Sequence, residues 1–89
     1  MKLVVTVVGK DRVGIIAAVS NILADNNVNI LSINQNIMDG FFNMVLIAEA
    51  DDKSVKLRDL QDTLRAKGKE INVDIKAQHE EIFNAMHNI

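Results

Sequence analysis

The sequence predicts an α+β fold of βαββαβ order: a four-stranded antiparallel sheet with two helices on one face, extended by a short C-terminal helix. Three observations predict it. Apolar β-branched runs alternate with helical periodicities in that order. Two of the four strand segments are apolar on both alternating sets of residues, whereas the other two carry one polar set. No proline or low-complexity tract interrupts the 89 residues, so every connection is short. In the ferredoxin-like arrangement of these elements the first and third strands lie centrally and the second and fourth at the edges. Face polarity makes the same assignment independently, because a central strand covered on both sides reads as a continuous apolar run.

Residues 2–8 (KLVVTVV) are the first such run. Gly9 to Gly14 breaks the pattern as a loop, after which Ile15, Ile16, Val19, Ile22 and Leu23 recur at helical spacing and Asp25-Asn26-Asn27 ends the helix. Residues 28–38 form the second strand, with Leu31, Ile33 and Ile37 on one face and Ser32, Asn34 and Asn36 on the other. Asp39-Gly40 is the clearest hairpin signal in the chain, since both positions favour positive φ. Residues 41–50 (FFNMVLIAEA) make a third, two-sided apolar strand. Asp51 to Ser54 offers N-cap groups to a second helix whose stripe is Leu57, Leu60 and Leu64, and Gly68 stands where a left-handed C-cap belongs. Ile71, Val73, Ile75 and Ala77 then alternate with Asn72, Asp74, Lys76 and Gln78, as in a one-sided edge strand. In residues 79–88, Ile82, Phe83 and Met86 fall at helical spacing.

A single domain is expected over 1–89, with a core at 1–78 and the C-terminal helix at 79–89. A chain this short buries only roughly 60–65% of the surface its unfolded form exposes. Yet 48% of its residues are hydrophobic, and no cysteine supplies a disulfide or thiolate metal site. On the first strand Leu3, Val5 and Val7 face one way and Val4, Thr6 and Val8 the other, so one apolar set points at the face without helices. Covering it requires a partner sheet or the C-terminal helix, and a homodimer is expected. The net charge of −2, with acids and bases interspersed, lacks the basic footprint of a nucleic-acid binder, and three phenylalanines do not make a base-stacking platform. The N-terminal apolar run is too short for a signal peptide or a membrane span, which points to a cytoplasmic protein.

The Gly9–Gly14 loop leads from a central strand into a helix N-terminus, where free backbone N–H groups can hold an anion such as an amino acid's carboxylate. The plainer reading is that Gly9 and Gly14 only permit a tight turn and close packing. Neither a P-loop nor a G-x-G-x-x-G pattern is present.

The run Val7-Val8-Gly9-Lys10-Asp11-Arg12-Val13-Gly14-Ile15-Ile16 resembles the opening of ACT domains, whose first loop commonly reads Asp/Asn-Arg-Pro-Gly, and Val28-Asn29-Ile30 resembles the family's entry to its second strand. The likeness extends through the Asp39-Gly40 hairpin to Ile75 and is greatest to small stand-alone ACT proteins related to the glycine cleavage system regulator. It implies a non-catalytic regulatory domain that binds an amino acid or similar small molecule, dimerises side by side or face to face, and acts on a regulated protein partner. Carried over by motif, the ligand-binding positions are Lys10, Asp11, Arg12, Val13, Gly14 and Ile15 with Asn29 and Ile30. The N–H groups near Gly14 and Ile15 suit a carboxylate, and the Asp11 carboxylate and Asn29 amide oxygen suit an ammonium group. Val13 replaces a frequent family proline, and Asp11 stands where some serine-binding members have asparagine.

No cofactor or metal is expected. His79-Glu80 begins like H-E-x-x-H, but Phe83 occupies the second histidine's place, and His79 and His87 lie too far apart along a helix to share an ion. Acylphosphatase-like chemistry on this fold needs an arginine early in the first helix, which instead begins Ile15-Ile16-Ala17-Ala18-Val19. A metallochaperone needs paired cysteines. The remaining alternative to a sensor is a ligand-free interaction module that docks through the open sheet face or the Ile82, Phe83 and Met86 stripe.

Overall fold

A computed structural model describes residues 1–87. Its elements are β1 (Lys2–Lys10), α1 (Ile15–Asp25), β2 (Val28–Met38), β3 (Phe41–Ala50), α2 (Leu57–Ile71), β4 (Val73–His79) and α3 (Glu80–His87). The four strands form one antiparallel sheet in the order β2-β3-β1-β4, with the two-sided apolar strands at the centre. Both helices cross one face. Leu3, Val5 and Val7 of β1 and Phe42, Met44, Leu46 and Ala48 of β3 are buried beneath Ile15, Val19 and Leu23 of α1 and Leu60 and Leu64 of α2. Val5 stands opposite Leu46 in the β1–β3 register, and both are fully buried.

The expected turn residues close the hairpin and end α1. Asp39 and Gly40 take φ of 53° and 81°, and Asn27 leaves α1 at φ 59°. The Asn26 side-chain amide donates to the Ile22 carbonyl at 2.8 Å, satisfying one of the orphan acceptors of the last turn.

Four local expectations are corrected. First, Asp51 does not cap α2. Its carboxylate accepts the Lys53 N–H and the Ser54 hydroxyl, each at 3.0 Å, closing a separate turn. That turn lets Val55 enter the core, and α2 begins only at Leu57 with no side-chain cap. Second, Gly68 is inside α2, which runs on through Ile71 and ends at Asn72 with φ 60°. The glycine is required for a different reason: a Cβ there would sit 2.5 Å from the Val73 carbonyl oxygen. Third, β2 is not one uninterrupted strand, although Ile33 and Ile37 share one face and Ser32, Asn34 and Asn36 the other as expected. A bulge between Ile30 and Ser32 advances the strand by one residue. Ile30 pairs with buried Ala48, and beyond the bulge Ile33, Gln35 and Ile37 pair with Leu46, Met44 and Phe42 on the helix-covered face. Ser32, Asn34 and Asn36 are thereby turned to the open face. Leu31, Ile33 and Ile37 nevertheless remain exposed, because α1 does not reach across this edge. Fourth, His79 ends β4 rather than starting α3. Asn88 and Ile89 of the expected tail helix lie outside the described residues.

On the open face α3 folds back over one corner of β1 and β4. Phe83 and Met86 border a small cavity of about 220 Å³ with Val4, Thr6, Lys76 and Gln78. Val4 is only 2% exposed as a result, and the buried Gln78 Oε1 has no hydrogen-bond partner. Phe83 is the half-buried one of the helix's three large apolar side chains, whereas Ile82 and Met86 stay largely exposed. The rest of the open face, with Val8, Val45, Phe41 and Met38, is bare within one chain.

Two measurements check these assignments. Alanine at position 68 gains up to about 1 kcal/mol of intrinsic helix propensity, but its methyl meets backbone that cannot rotate away. Gly68→Ala is therefore expected to destabilise the fold by roughly 1–3 kcal/mol, the usual cost of overpacking, read as a lower urea midpoint at unchanged slope. The Lys53 N–H, and then the Ser54 hydroxyl, hold the Asp51 carboxyl below the ordinary aspartate range. Its contribution to stability is complete above the unfolded-state pKa and disappears as pH falls through the depressed folded-state value. Side-chain carboxyl NMR should show Asp51 titrating below ordinary aspartate and moving back towards it in Ser54→Ala.

Candidate functional site

Beneath the β1–α1 loop lies a cleft of about 410 Å³, lined by Asp11 to Ala17, Gln35 and Ile37 of β2 and Phe42 of β3. Three features shape it. Gly14 takes φ 96°, a conformation that side chains rarely adopt, and turns the chain directly into α1. The Asp11 N–H donates to the Gly40 carbonyl at 2.8 Å, tying the loop to the β2–β3 hairpin. The Arg12 guanidinium reaches the carbonyl of Ile71, the last residue of α2, at 3.4 Å, where the negative end of the helix favours a cation. The loop is thus held from two sides, by the hairpin and by α2.

The N-terminus of α1 faces this cleft with no side-chain cap and no acidic residue in its first turn. Its first backbone N–H groups and its positive dipole end are left for solvent or for an anion. Gln35 brings an amide, while Phe42 and Ile37 bring apolar surface, so a polar corner and an apolar wall adjoin. Val13 is 98% exposed and stands away from the floor. Gly9 fits its plainer reading. A Cβ there would meet the Val73 side chain at 2.7 Å, so the glycine lets β1 and β4 pack closely.

The structure brings together Asp11, Arg12, Val13, Gly14 and Ile15, with Lys10 just before them on β1. It does not bring Asn29 and Ile30 to them. Asn29 pairs with Glu49, which pairs with Lys2 at the opposite end of β1 from Lys10. Eight strand rises of about 3.3 Å separate Lys2 from Lys10, so the two groups lie roughly 25 Å apart in one chain. Gln35, Ile37 and Phe42 occupy the place within the chain that was expected of Asn29 and Ile30. The bulge at Leu31 sets Gln35 and Ile37 on this face, and its mark in the sequence is the change of apolar phase from Val28 and Ile30 to Ile33 and Ile37. Among the described residues no group of three or more His, Asp or Glu side chains is placed to hold a metal, and no helix is long and apolar enough to cross a membrane.

Comparison with known proteins agrees with this geometry. The family model described as ACT domain matches residues 1–78. A UPF0237 protein of Clostridium perfringens is 47% identical over 89 residues, covering 100% of both chains. The solved ACT domain protein from Streptococcus pneumoniae superposes with a TM-score of 0.83 at 38% identity, covering 93% of each chain. A protein described as a glycine cleavage system transcriptional repressor shares the fold, with a TM-score of 0.76 at 21% identity over 86% of this chain and 44% of its own. The chain belongs to the ACT domain family.

Proposed function

We propose that this protein is a non-catalytic, cytoplasmic sensor of an amino acid or a similar small zwitterion, working as a homodimer that acts on a regulated protein. The observation that carries the reading is the uncapped N-terminus of α1 opening onto the loop cleft beside Phe42. The ligand carboxylate binds the N–H groups near Gly14 and Ile15, and Asp11 accepts from the ammonium group. Gln35 and the Phe42–Ile37 wall select the side chain. Arg12, which reaches the Ile71 carbonyl, holds the loop.

Dimerisation explains how Asn29 and Ile30 join this site. β2 is an edge strand with exposed Leu31, Ile33 and Ile37, and Ile37 lines the loop cleft with exposed Ile16 of α1. A second copy pairing antiparallel along β2 covers this apolar flank. With the two-fold axis near Ile33, the partner's Asn29 lies across from Ile37. Each loop cleft is then completed by the start of the other chain's β2. A ligand-free interaction module is the second reading, favoured by bare Val8, Phe41 and Val45 on the open face.

A thermal-shift screen against the twenty amino acids at millimolar concentration separates the two. A ligand at a hundred times its Kd adds about 2.7 kcal/mol, on the order of ten degrees in Tm for a domain this small. The sensor reading expects a shift confined to one or two amino acids and lost in both Asp11→Ala and Asn29→Ala. A flat response across the panel would remove amino-acid sensing.

A further inference from the structure

A second groove lies apart from the loop cleft. It measures about 560 Å³ and runs along the outer edge of β4, at the far side of the sheet from β2. Residues of both faces of the strand, from Val73 to Gln78, line it, so the groove follows the strand edge itself. Its length corresponds to about five strand rises, roughly 17 Å.

The groove floor is backbone. The Gln61 side-chain amide of α2 donates to the Ala77 carbonyl at 2.7 Å, which means that this carbonyl points away from β1. The Val73 carbonyl likewise points outward, towards Gly68 of α2. Alternate residues of an antiparallel strand share their orientation. The N–H and C=O of Ile75, between these two, therefore also face the groove, as does the Ala77 N–H. Gln61 already makes the kind of bond that an added strand would make along this edge.

The wall has a definite charge. Gln61, Arg65 and Lys69 are spaced four residues apart on α2 and form one stripe beside the edge, and Lys76 stands on the other side. Against these three cations the groove holds one carboxylate, Asp74, in a chain whose net charge is −2. The Arg65–Asp62 and Lys76–Asp74 contacts, at 3.2 and 3.7 Å, are exposed pairs that hold their cations weakly. Lys69 forms no ion pair among the described residues.

We infer that the β4 edge is a docking site for an extended acidic peptide segment of a partner protein, which adds as a fifth strand with its carboxylates against Arg65, Lys69 and Lys76. Strand addition supplies affinity through main-chain hydrogen bonds and leaves selection to the side chains along the walls. A small anion would use one cation; cations spaced along a strand-length groove suit an extended chain. The site is independent of the loop cleft and stands on the opposite edge from the proposed dimer contact, so both can be occupied at once.

The test uses the full chain and a fluorescein-labelled seven-residue peptide alternating valine and glutamate, with fluorescence polarisation as the readout. Saturable binding in the micromolar to millimolar range is expected, weakened about tenfold or more by the exposed double change Arg65→Glu and Lys69→Glu. Backbone N-methylation of alternate peptide residues should abolish it. In ¹H–¹⁵N spectra the amides of Ile75 and Ala77 should move on titration. The inference is overturned by no binding at millimolar peptide or by equal binding of a valine–lysine peptide. Affinity unchanged in the double variant, or shifts centred on Ile33 and Gln35 of the other edge, would overturn it as well.

Discussion

Two helices can cover only part of one face of a four-stranded sheet, and that shortage shapes the rest of this molecule. The central strands β1 and β3 carry enough apolar surface for two covered faces, but α1 and α2 shield only the side of Val5 and Leu46. α3 covers the corner over Val4 and leaves Val8 and Val45 exposed. At the β2 edge, Ile33 and Ile37 point to the helix side where no helix reaches. The molecule is folded around its inner face and open along its flanks, which is a structure suited to association.

The loop cleft follows from the same geometry. β1 must hand over to a helix that returns across the sheet, and the left-handed Gly14 makes that reversal without a capping side chain. The bonds from Asp11 to Gly40 and from Arg12 to Ile71 fix the loop, so the uncapped helix start is presented in a constant position. A helix start held in this way would lose little freedom on binding an anion. Its remaining wall is provided by β2, the strand through which a second chain would join. Ligand and dimer contact would therefore share residues, and ligand binding would be linked to association.

Much of this was legible in the sequence, because the informative residues act locally. β-branched runs marked β1 and β3, Asp39-Gly40 marked the hairpin, and the spacing of Ile15, Val19 and Leu23 marked α1. What was not legible depends on contacts between distant segments. Gly68 resembles a helix stop until Val73 is seen to approach it. Asp51 resembles an N-cap because the same side-chain chemistry closes a turn. The bulge at Leu31, set by pairing with β3, decides that Gln35 rather than Asn34 or Asn36 meets the loop. For the site, the motif named the loop residues correctly as neighbours, but adjacency in a family pattern did not reveal that Asn29 lies at the other end of the sheet.

The absence of cysteine from the chain makes one measurement especially direct. A cysteine placed at Ile33 sits at the proposed two-fold axis and meets its own copy across the strand pair. Antiparallel partners lie about 4.5–5.5 Å apart between Cα atoms, within the range that a disulfide bridges. Under a glutathione redox buffer, Ile33→Cys should become a covalent dimer in high yield at micromolar protein, while Asp74→Cys on the opposite edge should remain monomeric. Equal cross-linking of the two variants, or none in Ile33→Cys, would contradict a site completed across β2.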